Sequence, residues 1–170
     1  MATIPERFKV NVVSLLDMID ECFEYLRSQG QNIPLTGVVI RMAKSKVASE
    51  DAVELIDGFI KKSPPYWETI RTRDETHLSA TLGSIIAQVP DFAKGMLAST
   101  ISQREGGGLI IPSETLESIW GFLESFVTLS IKYVHERRVP QVVDGKMKYT
   151  VDYGGDLVVS ELHKLWKDKM

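Results

Sequence analysis

The chain has 170 residues, of which 44% are hydrophobic and 25% charged, with a formal net charge of −3. That size and composition suit a single helical domain spanning 1–170, with enough apolar content to bury a core unaided. The acidic balance argues against a general nucleic-acid binder, or a protein held electrostatically on an anionic membrane, because both need a concentrated positive face.

The spacing predicts a first helix over 4–29. Thr3 and Glu6 stand at capping-box spacing and Gly30 is a natural stop. Phe8, Val12, Leu15, Leu16, Ile19, Phe23 and Leu26 recur with helical period, while Asp17, Asp20, Glu21 and Glu24 form the opposite face. Cys22, the single cysteine, sits beside the apolar stripe and reads as a small buried hydrophobe. Residues 1–10 carry Glu6, Arg7 and Lys9 without an apolar core, which is not the pattern of a signal peptide.

Pro34 precedes a short helix expected over 36–44. Ser49 reads as the cap of the next helix, since Glu50 and Asp51 follow where the helix dipole favours acids. Ser63-Pro64-Pro65 ends that helix. The segment Pro64-Pro65-Tyr66-Trp67 reads equally as a recognition loop or as a turn whose Trp67 plugs the core. Asp74 is placed to cap a helix over 75–89, and another is expected over 91–103. Gly106-Gly107-Gly108 is expected to be a mobile connector, because no phosphate-binding glycine pattern surrounds it.

Ser113 is the expected cap of a long helix over 114–137. Leu116, Ile119, Trp120, Leu123, Val127 and Val134 make one stripe; Phe122, Phe126, Leu129 and Tyr133 make a second. Two stripes imply cover on more than one side, either at the centre of the domain or between two subunits. The period then switches to two. Asp144-Gly145 between alternating segments predicts a C-terminal β-hairpin, with Val142, Met147, Tyr149 and Val151 on one face and Lys146, Lys148 and Thr150 on the other. A last helix is expected over 156–167.

Little in the sequence points to catalysis. His77, His135 and His163 have neither metal-pair spacing nor a flanking cysteine, and the acidic face of the first helix reads as solvated. No cofactor or metal site is expected. Arg137, Arg138, Lys146 and Lys148 form a candidate basic patch, although cations at a helix C-terminus also complement its dipole.

Ile119-Trp120-Gly121-Phe122-Leu123 to Phe126 resembles the Trp-Gly start of the central helix in Bcl-2-type domains. That resemblance implies an adaptor binding a partner's helix in a groove, although the family's groove arginine falls here at Phe122. Leu129-Ser130-Ile131-Lys132-Tyr133-Val134-His135-Glu136 and Lys148-Tyr149-Thr150-Val151-Asp152-Tyr153 resemble segments of uncharacterised proteins of large cytoplasmic DNA viruses, Marseillevirus type. That resemblance implies infected-cell cytoplasm or the virion.

The sequence therefore describes a mainly α domain with a long central helix and one C-terminal β-hairpin. The expected function is non-enzymatic: a cytoplasmic, self-associating structural or interaction protein with no membrane partner. A homodimer is expected, its interface formed by Phe122, Phe126, Tyr133, Met147, Tyr149 and Val151. A helical-groove adaptor and a weak nucleic-acid-associated factor are the alternatives, nucleic acid being the less favoured partner.

Overall fold

Thr3 starts the first helix, α1 (Ile4–Ser28), with a reciprocal cap. Its hydroxyl accepts the Glu6 N–H at 3.3 Å, and the Glu6 carboxylate accepts the Thr3 N–H at 2.8 Å. Gly30 ends the turn with φ +85°, a conformation that costs glycine nothing. The structure is a computed structural model that describes residues 2–33, 37–78, 81–82, 104–105, 108–137, 139–143 and 146–150. For 64, 104–105, 135, 137, 139–143 and 146–150 it describes the backbone. Over these residues the chain is mainly helical.

Helix α2 (Gly37–Ser49) runs five residues further than its expected end at 44. Nothing from Ser45 to Ala48 breaks a helix, Val47 is fully buried, and Lys9 satisfies the far end. The Lys9 ammonium donates to the carbonyls of Ala48 at 2.9 Å and Glu50 at 2.8 Å. The other end of α2 lies on the acidic face of α1. Lys44 pairs with Asp17, and a Cβ on Gly37 would stand 3.2 Å from Asp20 Oδ1. Part of that face is thus an internal seam rather than solvated surface.

Asp51, not Ser49, caps α3 (Ala52–Lys62): its carboxylate accepts the N–H groups of Val53 at 2.9 Å and Glu54 at 3.2 Å. Ser49 is still helical, and its hydroxyl donates back to the Lys46 carbonyl at 2.8 Å. A 3-10 turn, Pro64–Tyr66, leads into α4 (Trp67–Thr72). Trp67 is fully buried and donates its indole N–H to Ser63 Oγ at 2.7 Å, so this segment plugs the core.

Arg73 closes α4 in the left-handed region at φ +52°, a strained position for a residue with a Cβ. Asp74 caps the start of the expected helix, which opens as a 3-10 turn, Glu75–His77, and is α-helical at Leu78, Thr81 and Leu82. Leu78 and Leu82 beyond it are buried. The remainder of 75–89, and all of 91–103 and 156–167, lie outside the described residues. Hydrogen bonds from Thr76, and next from His77, hold the Asp74 carboxyl below its ordinary value of 3.8. A lowered folded-state pKa contributes stability above the unfolded value, and that contribution disappears as pH falls through the folded one. Acidification below pH 3.8 should therefore destabilise the wild type more than Asp74→Asn, as measured by thermal melts across pH.

Short antiparallel strands β1 (Arg104–Glu105) and β2 (Gly108–Leu109) pair Glu105 with Gly108, so the last glycine of the expected connector is in a strand, and Gly106 and Gly107 lie outside the described residues. The long helix follows as α5 (Ser113–Arg137). The Pro112 carbonyl accepts the Leu116 N–H at 3.0 Å, which puts Pro112 at the cap and Ser113 inside the first turn. Backbone strands β3 (Val139–Val143) and β4 (Lys146–Thr150) pair antiparallel, from Val139 opposite Thr150 to Val143 opposite Lys146.

Helices α1 and α5 have 25 residues each, about 37 Å at 1.5 Å per residue. They run antiparallel: Asn11 donates to Ser125 Oγ at 3.2 Å, and Ile4 shares a cleft with Lys132 and Glu136 at the other end. Helices α2 and α3 pack on α1, and α4 packs on α5. Phe8, Phe59 and Phe126 meet where α1, α3 and α5 converge, with ring centroids 5.1 to 5.8 Å apart.

Candidate functional site

Both stripes of α5 serve the subunit's own core. Ile119, Trp120, Leu123, Val127 and Val134 of the first are buried, as are Phe126, Leu129 and Tyr133 of the second. Phe126 is 1% exposed and held between Phe8 and Phe59, and Tyr133 is 6% exposed. Neither offers an interface surface, which corrects that part of the expected interface. The physical reason is that α1 and α4 of the same chain pack on α5, and Phe59 of α3 meets Phe126. Phe122 is half-buried against the same core.

Met147 stands opposite Val142 and Tyr149 opposite Pro140, at alternate positions of β4; Val151 lies outside the described residues. The basic patch is placed only in part. Lys146 and Lys148 alternate along β4, opposite Val143 and Gln141, and Arg137 is the last residue of α5. Arg138 lies outside the described residues.

The surface that does open is on the other side of α5, along its seam with α1. A cleft of about 640 Å³ is lined by Ala2, Arg7, Val10, Asn11, Gly121, Glu124, Ser125, Thr128 and Leu129. A second, of about 440 Å³, continues past Arg7 to Ile4, Lys132 and Glu136. Helix positions explain the shape: small side chains at Gly121, Ser125 and Thr128 keep the α5 edge low, while Val10 stands at the rim, 62% exposed. Asn11 and Ser125 tie the floor together. The sequence carried a signal for this face, since Ser118, Gly121, Ser125, Thr128 and Lys132 repeat at intervals of three and four on α5.

Arg73 braces the acidic end of the cleft. Its Nε donates to Glu124 Oε1 at 3.0 Å and its Nη1 to Glu117 Oε2 at 2.9 Å. Hydrogen bonding to Glu124 is the main cause that raises the Arg73 pKa, so one cation spans two carboxylates. Half-exposed pairs of this kind stabilise by at most about 1 kcal/mol. Cys22 is buried deeper in the fold, and that burial raises its pKa against a smaller opposing effect of the Thr115 side chain. Its thiol is therefore less ready to ionise.

Among the described residues, no group of three or more His, Cys, Asp or Glu is placed to hold a metal ion. None of the described helices is long and apolar enough to cross a membrane. Comparison with protein-family models, curated proteins and solved structures found no match.

Gly121 is exposed in mid-helix, and a Cβ there would meet nothing within 4 Å. Gly121→Ala should stabilise the isolated subunit by about 0.5–1 kcal/mol, through helix propensity alone. Chemical denaturation at low protein concentration checks this.

Proposed function

We propose that this chain is a non-enzymatic interaction domain that associates with itself as a homodimer, and that the α1–α5 cleft is its working surface. The observation that carries this reading is the open cleft itself. Val10 stands exposed on its rim beside Leu129 and a low edge of Gly121 and Ser125. Val10, Gly121 and Ser125 lie outside the buried core, which Leu129, the phenylalanine cluster and Trp67 help to fill. An exposed apolar side chain at the rim of a cleft of small and polar groups, flanked by Arg7 and Glu124, is the chemistry of a surface that a protein partner covers. A second copy is the favoured occupant, since closed two-fold dimers are the commonest soluble assemblies.

The C-terminal hairpin belongs to the same proposal. Strands β3 and β4 would join through 144–145, and their outer edges need cover from the subunit's helices or from the second copy.

Val10→Glu tests the surface. Val10 is mostly solvent-exposed, so the change should alter subunit stability by no more than about 0.5 kcal/mol. Sedimentation equilibrium should show the wild type as a dimer and Val10→Glu shifted toward monomer. Equal dimerisation by both, with unchanged circular dichroism, would overturn the cleft as the surface. A wild type that stays monomeric would overturn self-association.

A further inference from the structure

We draw no further inference here: the strongest candidate, the apolar patch that Val38 and Met42 expose one turn apart on α2, is an unpartnered helix face and nothing in the structure shows what covers it.

Discussion

Phe126→Ala should destabilise the chain by about 3–5 kcal/mol, the usual cost of emptying a buried aromatic site. The ring is 1% exposed and touches Phe8 and Phe59 at centroid distances of 5.1 and 5.8 Å. It therefore joins three helices at one point, and tilted aromatic contacts add about 0.5–1.5 kcal/mol beyond area burial. For a domain of this size the melting temperature should fall by roughly 6–20 °C. The loss should not depend on protein concentration, because the contacts are within one subunit. A loss that grows on dilution would return Phe126 to an interface and contradict its place in the core.

Trp67→Ala should cost a similar amount, about 3–5 kcal/mol. Trp67 is fully buried, and its indole N–H donates to Ser63 Oγ, itself 1% exposed. Trp67→Phe separates the two contributions. It retains most of the packing but leaves the Ser63 hydroxyl without its donor, which costs about 1–3 kcal/mol. Urea denaturation of the two variants measures both. A loss below about 1 kcal/mol for Trp67→Ala would mean that this turn is a free surface loop and not a plug.

What the sequence made legible was local. The first helix was readable end to end because its start is chemical, Thr3 with Glu6, and its stop is conformational, Gly30. The cap of α3 was misplaced by two residues because Ser49 and Asp51 are both good capping side chains. Only the tertiary fact that α2 continues through buried Val47 decides between them. The double stripe of α5 was visible as well, but a stripe does not say what covers it. Phe126 and Tyr133 read as interface because the packing of α1 and α4 on α5, and the reach of Phe59 to Phe126, have no local signature.

The cleft was hidden for the same reason, since it combines Val10 of α1 with Gly121 and Ser125 of α5, more than a hundred residues apart. The Arg73 brace was not legible either. Nothing in the sequence marks a left-handed arginine at the end of α4, or its reach to Glu117 and Glu124.

The central claim is that the α1–α5 cleft is covered by a second copy of the chain. Multi-angle light scattering across a concentration series from about one to a hundred micromolar tests it directly, in the affinity range where most specific dimers assemble. The account predicts a mass rising to twice 19.1 kDa. A mass that stays at 19.1 kDa throughout the series would contradict it.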